Sequence, residues 1–168
     1  SHGHQLSERI ELGGADAVGA LDLVFGPPQA SQPRPLVVMR KDPGAVVNVA
    51  LPVPTSTTNI QGVAVGDVDG DGDMDLVVAT IAGTSAPSLV LLRNGGGLQF
   101  AFDLPAMPTG LPYGLWPRLL DFDQDGDLDV IASTAAGGFV LLRNVGGTFV
   151  DARSVLPTLR LGYTYVAT

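Results

Sequence analysis

Apolar residues in this chain fall in short blocks separated by glycine, proline and aspartate, with no run at helical spacing. Three stretches align with one another. The first is "LDLVFGPPQASQPRPLVVMRKDPGAVVNVALPVP" from Leu21, the second "MDLVVATIAGTSAPSLVLLRNGGGLQFAFDLPAMP" from Met74, and the third "LDVIASTAAGGFVLLRNVGGTFVDA" from Leu128. In each, an acid (Asp22, Asp75, Asp129) stands at the head of a β-rich run, and a second run ends in Arg40, Arg93 or Arg143. The turns that follow, "KDPG", "NGGG" and "NVGG", suit a hairpin, because Asn and Gly accept positive φ. A third run follows each turn: "AVVNVAL", "LQFAFDL" and "TFVDA". One further strand precedes each unit: "SERIEL" (Ser7–Leu12), "IQGVAV" (Ile60–Val65) and "LWPRLL" (Leu115–Leu120).

The period is 53 or 54 residues where the units align without gaps, and the third unit is four residues shorter between its first two strands. Four antiparallel strands in roughly 50 residues is the signature of a propeller blade, and the absence of a 3.6-residue period excludes helical repeats. The expected fold is all-β, with three four-stranded blades. Residues 1–6 read as a tag or disordered N-terminus, 7–59 as blade 1, 60–113 as blade 2 and 114–156 as blade 3. Residues 157–168 read as an extra inner strand, because "GYTYVAT" resembles the start of a fourth unit or a closure strand. Three blades are too few for a ring, which takes roughly 4–8. The expectation is therefore a homodimer closing a six-bladed ring through its terminal strands, or completion by further blades.

Charge changes the picture only locally. The chain of 168 residues carries 17 acids and 9 bases, and ten of the acids lie in two short loops, leaving a nearly neutral remainder. Such a distribution calls for a cation as partner. No Lys/Arg cluster is present to grip phosphates, so nucleic acid is not expected. No apolar run approaches the ~20 residues of a membrane span. With no cysteine, thiol catalysis, disulfides and thiolate metal sites are excluded.

The first loop places Asp67, Asp69, Asp71, Asp73 and Asp75 at positions 1, 3, 5, 7 and 9, with Gly72 at position 6. The second repeats this with Asp121, Asp123, Asp125, Asp127 and Asp129, and Gly126 at position 6. Oxygens at alternate positions can wrap a hard cation, and calcium, which takes 6–8 oxygens, suits them better than the stricter magnesium or the nitrogen- and sulfur-seeking zinc. An EF-hand is excluded, since position 12 holds Val78 or Ala132 in place of glutamate and a strand follows in place of a helix. Side-chain ligation is expected at positions 1, 3, 5 and 9, with Asp73 and Asp127 contributing backbone carbonyls. In the first unit the same positions hold Gly14, Asp16, Val18, Ala20 and Asp22, so no ion is expected there, and the count is two calcium ions per chain.

"VAVGDVDGDGDMDLVVAT" (Val63–Thr80) and "LLDFDQDGDLDVIAST" (Leu119–Thr134) resemble the FG-GAP/VCBS repeats, a family that includes the propeller of integrin α subunits and many bacterial surface proteins. The resemblance implies calcium on one rim of the propeller, bracing neighbouring strands. It also implies a secreted or cell-surface module for binding or adhesion, whose ligand is a glycan or a protein. Two alternatives stand beside it: an architectural propeller fragment of a larger surface protein, and part of a polysaccharide lyase. No catalytic constellation is recognisable, so an enzyme is not expected. Tyr113, Trp116 and Arg118 form a weak ligand-binding candidate, because aromatics beside a cationic group can stack on sugars or anchor peptides; packing between blades is the alternative. The recurring arginines read as solvated strand ends capping hairpins.

Overall fold

The computed structural model describes residues 9–13, 21–25, 37–42, 45–51, 59–81, 87–112 and 115–156, with side chains described at 51, 60–80, 87–112 and 115–156. Residues 1–6 and 157–168, Tyr113, and positions 14–20 of the first unit's degenerate loop lie outside them.

The twelve strands of the described residues are antiparallel and fall into three four-stranded meanders. The first sheet is β1 (Arg9–Gly13), β2 (Leu21–Phe25), β3 (Val37–Asp42) and β4 (Ala45–Ala50). The second is β5 (Asn59–Gly66), β6 (Asp75–Ile81), β7 (Leu89–Asn94) and β8 (Phe100–Asp103). The third is β9 (Leu115–Leu120), β10 (Asp129–Thr134), β11 (Phe139–Val145) and β12 (Thr148–Asp151). Each pairs in chain order, as hairpins joined by short turns dictate. Leu23↔Met39, Leu76↔Leu92 and Val130↔Leu142 are equivalent cross-strand pairs, so the three units share one register. The described sheets are all-β four-stranded meanders, consistent with propeller-like blades.

The second and third sheets share a core. Ala64, Val77, Ala79, Leu89 and Leu91 from one face of the second sheet pack with Leu115, Val130, Ala132, Val140, Leu142 and Phe149 of the third. On its opposite face the second sheet buries Val63, Leu76, Val78, Val90 and Leu92 with Leu51, which follows β4. Burial on both faces explains why "LVVA" in β6 and "LVLL" in β7 are continuous apolar runs without polar alternation. The sheets approach most closely at β5 and β9. A Cβ on Gly62 would stand 3.1 Å from Pro117 Cδ, and one on Gly66 would stand 2.6 Å from Leu128 Cδ1. Glycine at these two places lets β9 lie against β5.

Candidate metal centre

Both aspartate loops sit at one end of their sheets, between β5 and β6 and between β9 and β10. The N–H groups of Gly70 and Asp71 donate to Asp67 Oδ1 at 2.7 and 3.1 Å, and that of Gly72 donates to Oδ2 at 3.0 Å. The second loop folds the same way. The Asp125 and Gly126 N–H groups reach Asp121 at 3.1 and 3.2 Å. Position 6 has φ of +92° at Gly72 and +98° at Gly126, a conformation that any side chain would strain. Position 5 repeats too, since Asp71 Oδ1 and Asp125 Oδ1 each accept the N–H of the residue two further on.

The result is a concentration of carboxylate oxygen. Asp67, Asp69 and Asp71 bring oxygens within 4.8 Å of one another, as do Asp121, Asp123 and Asp129. An ionised carboxylate offers about four lone-pair directions. The folding bonds of Asp67 use three of these, which leaves one for a cation. The donors are all oxygen, the chemistry of a hard divalent ion.

Position 9 is more constrained than its place in the motif suggests. Asp75 is fully buried, and its two oxygens accept the N–H groups of Val68 at 3.1 Å and Asn94 at 2.8 Å. Asp129 repeats this with Phe122 and Asn144 at 3.0 and 2.8 Å. Each therefore locks its loop to its third strand. Burial pushes the Asp75 carboxyl up to about 6, with the Asn94 and Val68 N–H groups pulling downward and the charge of Asp69 adding to the rise. Asp129 joins the oxygen cluster of its loop, whereas the cluster of the first loop is made by positions 1, 3 and 5. Asp73, at position 7, lies beside the β7–β8 turn, where a Cβ on Gly96 would meet its Oδ2 at 3.4 Å.

Two residues whose roles the sequence reading did not assign complete the site. Arg93 is no solvated strand end. Its Nη1 donates to Asp69 Oδ2 at 2.6 Å, its Nε to Asp103 Oδ2 at 2.7 Å, and its Nη2 to the Gly147 carbonyl of the third sheet. Burial works against its charge, yet the bonds to Asp103 and Asp69 hold its pKa above the ordinary value. Asn144 is the second. Its Nδ2 donates 2.7 Å to the Val68 carbonyl in the neighbouring sheet's loop and 3.2 Å to Leu128. The recurrence of "RN" at Arg93–Asn94 and Arg143–Asn144 was the signal for both. Arg143 also reaches its own loop, pairing through Nη2 with Asp123 and lying 3.6 Å from Asp125.

Trp116 and Arg118 share the face of β9 turned away from the second sheet, both exposed, and Arg118 Nη1 donates to the Pro117 carbonyl at 3.0 Å.

Repeated four-stranded meanders that carry an all-oxygen acidic loop between first and second strands define a class of β-repeat protein. Residues 16–78 match the family model of the FG-GAP-like repeat. The match runs from the degenerate first loop through the complete loop at Asp67–Asp75 and into β6. No curated protein and no solved structure matches the chain. Among the described residues no helix is long and apolar enough to cross a membrane.

Proposed function

We propose that the chain is a calcium-braced β-propeller module serving extracellular binding or adhesion to a glycan or protein, in which calcium is structural. The observation that carries the reading is the gathering of carboxylate oxygens in two loops at equivalent places in successive repeats. Asp67, Asp69, Asp71 and Asp75 hold one ion, and Asp121, Asp123, Asp125 and Asp129 hold the other, with carbonyls at positions 7. The ion neutralises the loop and stiffens the junction from which the first and second strands diverge. The FG-GAP-like repeat supports the calcium assignment and the extracellular setting.

Calorimetric titration of the metal-stripped chain with calcium tests this. Two ions per chain are expected, and Asp71→Ala or Asp125→Ala removes one of them while Asp73→Asn and Asp127→Asn bind nearly as before. Calcium raises Tm as its concentration rises above the dissociation constant, because it binds only the folded loop. A titration without heat, together with a Tm that chelator leaves unchanged, refutes the proposal.

A further inference from the structure

The three carboxylates gathered in the first loop are not fastened alike. Asp67 is held by the N–H groups of Gly70, Asp71 and Gly72, and Asp71 by that of Asp73, all within the loop itself. Asp69 is different. Its Oδ2 accepts a 2.6 Å hydrogen bond from Arg93 Nη1, and among the described residues no backbone N–H of the loop reaches it. The group that places this carboxylate comes from β7, 24 positions along the chain.

Arg93 is itself fixed from two sides. Its Nε donates to Asp103 Oδ2 in β8 at 2.7 Å, and its Nη2 donates to the Gly147 carbonyl in the turn between β11 and β12. That turn is shaped within the third unit, where Asn144 Oδ1 accepts the Gly147 N–H at 2.8 Å and Gly147 has a φ of +84°. The fit is close. A Cβ on Gly147 would stand 2.9 Å from Arg93 Nη2 and 3.5 Å from Asp69 Cβ. A turn of the third sheet thus lies directly against the acidic loop of the second.

We infer that the ion site of the Asp67–Asp75 loop is completed across the seam between two sheets. Arg93, seated on the Gly147 carbonyl, is a positioning residue that presets Asp69 as a ligand. The inference rests on the calcium reading proposed above. The first argument is geometric. A guanidinium carries its N–H donors in a rigid planar fork, so fixing Nε and Nη2 also fixes where Nη1 points. Nη1 takes Asp69 Oδ2, which leaves Oδ1 for an ion. A carboxylate already held in place joins the ion without the ordering that a free side chain requires.

The second argument is charge. A lone arginine beside a cation site would repel the ion. Here two carboxylates, Asp69 and Asp103, share one guanidinium, so the cluster keeps a net negative charge. The third is recurrence. Arg143, at the same place in β11, pairs with Asp123, the same position of the second loop. Coupling of this kind is reciprocal: an ion that draws on the preset Asp69 also favours the docked turn that presets it.

Calorimetric titration of the whole chain with calcium tests this in two backgrounds, each keeping one loop. Asp125→Ala keeps the first loop, and Asp71→Ala keeps the second. Arg93→Ala raises the dissociation constant of the first loop about tenfold, and changes that of the second by less than about twofold. Gly147→Ala weakens the first loop too, although it lies in the third sheet's own turn. Arg93→Lys keeps the charge without the fork, and behaves as Arg93→Ala does. Terbium supplies a readout that lost stability alone would not move. Its luminescence lifetimes in light and heavy water count coordinated waters, and Arg93→Ala adds about one in the first loop, replacing the Asp69 oxygen.

Circular dichroism verifies that each variant is folded; should Arg93→Ala fail to fold, Arg93→Lys and Gly147→Ala carry the test. A first loop that binds calcium unchanged, or more tightly, without the arginine fork overturns the inference. So does an equal loss at both loops. In either case a parent chain that binds two ions leaves the proposed function standing, whereas a parent that binds none refutes that function itself.

Discussion

The second and third sheets carry nearly the same sequence pattern and the same loop, yet they live in different surroundings. Leu89 and Phe139 occupy one register position, opposite Ala79 and Ser133 respectively, but Leu89 is buried and Phe139 is more than one-third exposed. Arg93 and Arg143 both reach the third position of their own loop, but among the described residues only Arg93 goes on to the neighbouring sheet. The difference teaches that a repeat unit determines its own hairpins and loop, while the value of its face depends on what stands against it. Stability in such an array is the sum of unit terms and nearest-neighbour terms.

The comparison can be broken most directly in the shared core. Leu89→Ala should cost about 2–5 kcal/mol, since it removes a fully enclosed side chain from between two sheets. Phe139→Ala should cost less than about 1 kcal/mol. Urea denaturation of both variants decides, and equal losses would abolish the distinction between a covered and an open face.

A smaller contrast is expected at the arginines. Arg93→Ala strips partners from Asp69, Asp103 and the Gly147 carbonyl at once, and should destabilise the calcium-free chain by about 1–3 kcal/mol. Arg143→Ala should change stability by less than about 1 kcal/mol, because its pairs are open to solvent. If the two variants melt together, the bridge from sheet to sheet contributes nothing.

The smallest effect belongs to Asp151 and Arg153, which pair within the third sheet's outer end. The hydrogen bond from Arg153 holds the Asp151 carboxyl below its ordinary range. A carboxyl depressed in the folded state contributes its stability above the ordinary range, and loses it as pH falls through the folded value. Solvent screening keeps the amount under about 1 kcal/mol. Asp151→Asn should therefore lower Tm slightly at neutral pH and leave it unchanged in strong acid.

The strands, their order and the two loops were legible because each depends on short-range chemistry repeated at a fixed period. The aspartates recur at alternate positions, the turn glycines follow "RN", and β9 falls on "LWPRLL" at Leu115–Leu120. The role of position 9 was only half legible. Its carboxylate was expected to face an ion, and its hydrogen bonds to the third strand depend on how Asn94 and Asn144 present their N–H groups. The reach of Arg93 to Gly147 and of Asn144 to Val68 could not be read, because both cross between sheets, and sequence spacing says nothing about which turn faces which. Nor does any apolar run announce whether its face is covered: "LVLL" in β7 and "VLL" in β11 look alike.

Val68 sits inside the aspartate loop, yet its side chain belongs to the core shared by two sheets and its carbonyl is held by Asn144 of the next one. The loop therefore cannot open as a surface excursion of its own. Releasing it withdraws an apolar side chain from the shared interior and strands a buried amide donor in the neighbouring unit. Ordinary loops exchange their amides through cheap local fluctuations, whereas this one is tied to the sub-global opening of both sheets. The two sheets thus form one cooperative foldon, and events at the acidic rim are felt along the seam between them.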